Sequence, residues 1–98
     1  MQFFTVDPAA VRRLSAAFDS ASSTIGKEAG AFESSARLPG AAFGRLPEGL
    51  AASSHYEHRL GEALQGLAAL QVTLEQVATN LRASADAYSA ADQASLLE

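Results

Sequence analysis

Two groups of side chains in this chain have residue types and spacing that chemistry could use. The first is "SHYEHR", in which His55 and His58 stand three apart with Glu57 and Glu62 close by. Imidazoles and carboxylates ligate zinc, but a zinc site needs three or four convergent ligands. The i, i+4 histidine pair around a glutamate that metalloprotease helices use is not what stands here. The expectation is an exposed helical turn holding no metal. The second group lies in "LRASADAYSAADQ", Leu81 to Gln93, where Tyr88 precedes Asp92 by four residues. That spacing puts a phenol and a carboxylate one turn apart on one helix face, a handle that a partner can read. The bare pattern carries little weight: with 2 Tyr and 11 Asp plus Glu in 98 residues, chance alone supplies it about two times in nine. Its position must supply the rest.

Catalysis has no further support. The chain has no G-x-S-x-G, no phosphate-cradling glycine loop and no nucleophile with a base at hand. Without cysteine it has neither a thiolate nor a thiolate metal site. A non-enzyme without cofactors is expected. Eleven acidic and seven basic side chains give a net charge of −4, and the basic residues, at positions 12, 13, 27, 37, 45, 59 and 82, form no patch. Nucleic acid is therefore excluded as a partner, and anionic lipid is disfavoured. "MQFFTVDPAA" has no charged n-region or apolar h-region, and no run of 18 apolar residues occurs. Export, if it happens, is expected by a route independent of a signal peptide.

The elements that must position Tyr88 and Asp92 follow from spacing. Asp7-Pro8 is a helix start, with a capping carboxylate before a proline at the first helical position. Val11, Phe18, Ile25 and Phe32 recur every seven residues, with Leu14 and Ala21 filling alternate positions, and predict helix one over about 8–35. Gly26 and Gly30 each cost about 1 kcal/mol inside a helix and mark a place where another backbone can come close. "RLPGAAFGRLPEG" breaks the helix with two prolines and three glycines, giving a connector over about 36–50. Helix two is predicted over about 54–96, with Leu60, Leu67, Leu74, Leu81 and Tyr88 spaced by seven.

Leu60, Leu64, Leu67, Leu70, Leu74, Val77 and Leu81 form a stripe wider than a two-helix seam requires. The expected fold is therefore an all-α helical hairpin with a long C-terminal helix, dimerising through this stripe into a four-helix bundle. At 1.5 Å per residue helix one spans roughly 42 Å and helix two roughly 64 Å. Residues after about Arg82 are expected to run past the start of helix one, with only "FFTV" beside them. Tyr88 can also serve as the last core knob of its heptad, and Arg82 can pair with Asp86 at i+4.

The chain resembles the WXG-type substrates of type VII (ESX) secretion, in particular their EspC-like branch. The likeness rests on the start Thr5-Val6-Asp7-Pro8 and on "ATNLRASADAYSAADQ", an Ala-x-x-Leu-Arg stretch leading into Tyr-Ser-x-x-Asp. It departs from the wider family in lacking the Trp-x-Gly of the interhelical turn. The connector offers Phe43-Gly44 and Leu38-Pro39-Gly40, and the expectation is that the turn element comes either from Phe43 or from another protein to which this chain is the motif-bearing partner. The resemblance implies synthesis in the cytoplasm and secretion as a folded helical dimer. Tyr88 and Asp92 would serve as the export signal, read by the type VII secretion ATPase beside the turn of the partner. That partner would be a second copy or another helical-hairpin protein. The alternative is an intracellular interaction or chaperone module that binds a larger effector. Membrane activity of helix two is a third reading, disfavoured by its few basic residues.

Overall fold

The computed structural model describes residues 6–39 and 42–96. Phe3, Phe4, Thr5, Gly40 and the closing Leu97-Glu98, on which parts of the sequence reading fall, lie outside the described residues. The protein is all-helical. Helix α1 spans Pro8–Ala36 and α2 spans Pro47–Leu96, packed against each other as a helical hairpin.

Local chemistry sets the ends of each helix. Asp7 Oδ1 accepts the Ala9 N–H at 3.0 Å while the Asp7 carbonyl accepts the Val11 N–H at 3.1 Å, so one residue caps α1 twice over. At the other end Arg37 N–H reaches the Glu33 carbonyl at 3.1 Å, and Pro39 then prevents continuation. Helix α2 begins at Pro47, ahead of the expected start near Ser54, and the connector shrinks to 37–46. The reason is that proline breaks a helix only from within. At the first position its missing N–H costs nothing, and here the Leu46 carbonyl accepts the Leu50 N–H at 2.9 Å with Glu48 in the favourable first turn.

By contact the chain divides into two compact units, one joining residues up to Ser22 with those from Val72 onward, the other comprising Ser23–Gln71. In the first unit the α1 side of the seam carries Val11, Ser15, Phe18 and Ser22, and the α2 side Leu74, Val77, Ala78, Leu81 and Ala85. Its fully buried members are all small: Ser15, Ser22, Ala78 and Ala85. This corrects the expected stripe, because the positions alternating with Val11 and Phe18 are four residues on, not three, and Leu14 and Ala21 stay exposed. Small side chains allow the backbones to approach closely, and the Ser15 hydroxyl exploits this by donating to the Ala78 carbonyl at 2.8 Å. A leucine at that position would hold the helices apart.

In the second unit Leu60 is buried, while Ile25, Ala29, Ala36, Tyr56, Leu64 and Leu67 are half-buried. Phe32 remains 44% exposed, outside the seam the heptad assigned it to. Gly26 makes room for a side chain and not for a backbone: a Cβ there would lie 2.8 Å from Gln71 Nε2. A Cβ on Gly30 would meet nothing within 4 Å, so that glycine has no steric reason in the described residues.

Gly49 is constrained more severely. A Cβ there would stand 2.1 Å from the Phe43 carbonyl oxygen, a backbone atom with no rotamer to yield. Alanine would gain about 1 kcal/mol of helix propensity against about 1–3 kcal/mol of overpacking. The expected outcome for Gly49→Ala is a net loss in a urea melt, with amide shift changes concentrated at 42–50. A stabilised variant with unchanged connector shifts would refute it.

Candidate functional site

Tyr88 and Asp92 lie in the last third of α2, which runs without interruption from Pro47 to Leu96. The chain keeps this stretch helical because "ASADAYSAADQAS" contains neither glycine nor proline and is rich in alanine. Tyr88 is 45% exposed and Asp92 is exposed, one turn apart.

The side chains around them are committed to α1. Arg12 donates from Nη2 to Asp86 Oδ1 at 2.9 Å and to Ser89 Oγ at 3.3 Å. Arg82 donates from Nη1 to Asp19 Oδ2 at 2.5 Å and to Ser15 Oγ at 3.3 Å, and from Nη2 to Thr79 Oγ1 at 3.2 Å. Ser22 Oγ donates to Glu75 Oε1 at 3.1 Å. The expected i, i+4 pair of Arg82 with Asp86 does not form, since each charge finds its partner across the seam. Asp19 and Ser15 converge on one guanidinium, which a single helical carboxylate cannot match. Both ion pairs are about half-exposed or more, so each is worth at most about 1 kcal/mol. What they fix is register, because sliding α2 by one residue breaks all of these bonds together.

The same contacts move the point at which α2 leaves α1. Departure was expected after about Arg82, but Ala85 is fully buried and Arg12 still reaches Ser89. Beyond Ser89, residues 90–94 are exposed. Tyr88 therefore sits where the seam ends, sharing the core register of Leu81 yet open on one side.

Phe43-Gly44, the expected turn element, lies in the other unit. Gly44 has φ +89°, a conformation open to glycine and strained for other residues. The Phe43 ring lies 5.8 Å from that of Tyr56 at a 50° tilt, and the Tyr56 hydroxyl donates to the Ala36 carbonyl at 2.6 Å. Tyr56 is the residue the sequence reading missed. Its only signal was its place four residues before Leu60 in the same stripe.

Of the expected partner stripe, Leu60 is buried within the chain, Leu64, Leu67, Leu74, Val77 and Leu81 are half-buried, and Leu70 is exposed. Within the first unit Leu74 joins Ala17, Phe18 and Ala21 around an open, wholly apolar groove of about 210 Å³. His58 Nε2 lies 3.5 Å from Glu62 Oε1, an exposed pair. Among the described residues no three His, Cys, Asp or Glu side chains converge as metal ligands. Nor, among them, is any helix long and apolar enough to cross a membrane.

The fold is thus an all-helical hairpin of two helices, with an aromatic-acidic pair late in the second. Residues 1–95 match the family model described as "Excreted virulence factor EspC, type VII ESX diderm". The chain belongs to this EspC family of type VII secretion. No curated protein and no solved structure was found to match it.

Proposed function

We propose that this protein is exported by its type VII system as a folded helical dimer, with Tyr88 and Asp92 as the export signal. The observation that carries the reading is their exposure one turn apart at the end of the seam, while the neighbouring Asp86 and Ser89 are bound to Arg12. A signal held on a rigid helix keeps its two side chains in fixed geometry, which lowers the ordering cost of recognition. Phe43-Gly44 takes the place of the missing Trp-x-Gly turn.

The partner surface is the open side of the leucine stripe: in the first unit the half-buried Leu74, Val77 and Leu81 with the groove at Ala17, Phe18 and Ala21, and in the second the half-buried Leu64 and Leu67 with the exposed Leu70. A second copy or another helical hairpin would cover it. The secretion ATPase then reads the signal, and the chain acts as a binding protein with no reaction of its own.

The test is the tagged full chain in culture filtrate and lysate, in hosts with the type VII ATPase intact or deleted and with a cytosolic marker for lysis. Protein in the filtrate that disappears with the ATPase supports export. Folded protein retained in both hosts would replace this reading with the intracellular module that binds a larger effector.

A further inference from the structure

We infer that Tyr56 is the positioning residue of the turn element: it holds the Phe43 ring in one orientation and ties it to the end of α1. This rests on the reading of Phe43 as that element, and deepens it. Ala36 is the last residue of α1, so its carbonyl has no N–H four residues on to accept within the helix. The Tyr56 hydroxyl donates to it at 2.6 Å from a part-buried position. The other end of the same side chain meets Phe43, ring to ring at 5.8 Å and 50°, within the tilted range aromatic pairs favour. One tyrosine thus connects the last carbonyl of α1, the ring of the connector and the body of α2.

The backbone of Phe43 comes close to α2. Its carbonyl lies directly over Gly49, where no Cβ could stand, and the next residue turns through the positive φ of Gly44. With its ring packed on Tyr56, Phe43 is nevertheless 41% exposed. Beside it lies a notch of about 60 Å³, bordered by Arg37, Leu38, Ser53 and Glu57. A connector bearing an unsupported phenylalanine would sample many rotamers. This one presents a single aromatic edge, which a partner can bind without having to order it first.

The experiment compares the full wild-type chain with Tyr56→Leu, Tyr56→Phe and Phe43→Ala. Phe43 ring signals are followed by NMR, using the Phe43→Ala spectrum for assignment, alongside amide exchange and the filtrate assay. Tyr56→Leu is expected to abolish the ring-to-ring NOE, move the Phe43 ring signals toward unstructured values and reduce filtrate protein at least fivefold. Tyr56→Phe is expected to retain the ring signals and at least half of the export. It should also speed amide exchange at Arg37, Leu38 and 42–44 at least fivefold, through loss of the hydroxyl anchor.

Unchanged Phe43 ring signals in Tyr56→Leu would overturn the inference. So would wild-type export by Tyr56→Leu when Phe43→Ala is retained. Should Tyr56→Leu fail to fold, unchanged exchange in Tyr56→Phe overturns it instead. Wild-type export by Phe43→Ala overturns the turn-element reading alone, and the positioning by Tyr56 is then decided by the ring signals.

Discussion

Tyr88→Ala is expected to lower the protein in culture filtrate at least tenfold while leaving folded protein in the lysate. Tyr88 is 45% exposed at the end of the seam, so truncation removes only part of a buried surface. The stability loss should stay within about 1 kcal/mol. Recognition is a different matter, because an exposed aromatic that anchors a partner commonly carries more than 2 kcal/mol of binding, well over a tenfold change in occupancy. Tyr88→Phe keeps the ring and separates packing from hydroxyl recognition. Asp92→Ala should act in the same direction and Asp92→Glu much less, since the charge is preserved. Far-UV circular dichroism of the lysate protein guards against misfolding. Wild-type filtrate levels for folded Tyr88→Ala would remove the export signal from this position.

The second large effect is on folding. Ala78 and Ala85 are fully buried in the seam of the first unit, where Ser15 Oγ stands 2.8 Å from the Ala78 carbonyl. Ala78→Leu must insert three carbons between backbones that are already close. Overpacking of this kind costs about 1–3 kcal/mol, and separating the helices also weakens the Arg82 and Arg12 bonds that cross the same seam. For a domain of this size a 2 kcal/mol loss lowers Tm by about 8–16 °C. The comparison variant is Leu14→Ala, half-exposed on the adjoining face and expected to change Tm by a few degrees at most. Equal melting of Ala78→Leu and wild type would show that the seam has room the structure does not display.

The element types and their order were legible because heptad spacing, the Asp7-Pro8 cap and a connector rich in proline and glycine all point the same way. The orientation of α1 was not. Hydrophobic periodicity favoured Leu14 over Ser15, since a pattern of apolar residues assigns serine to solvent. Close packing reverses this when a hydroxyl can bond to a facing carbonyl, and nothing in one helix announces the carbonyl of another. The start of α2 was obscured by the two meanings of proline, breaker within a helix and starter at its first turn. Arg82 illustrates a further limit: the i+4 rule finds Asp86, but the closer competitor is Asp19, 63 residues away in sequence. Tyr88 and Asp92 were legible as a pair because helical spacing alone sets their geometry. Tyr56 was not, because its meaning depends on two segments that lie 13 and 20 residues before it.

That sequence separation has a kinetic consequence. Tyr56 joins Ala36 across 20 residues, whereas Arg12 joins Ser89 across 77. Closing the longer loop from an open chain costs about 1 kcal/mol more in entropy, so the connector end has the cheaper first encounter. Assembly in the manner of a zipper would begin with the tyrosine clasp and finish with the arginine clasp. Synthesis runs in the same direction, since Ala36, Phe43 and Tyr56 are all added before Tyr88. The turn can therefore form before the segment by which we propose the chain is dispatched has packed against α1.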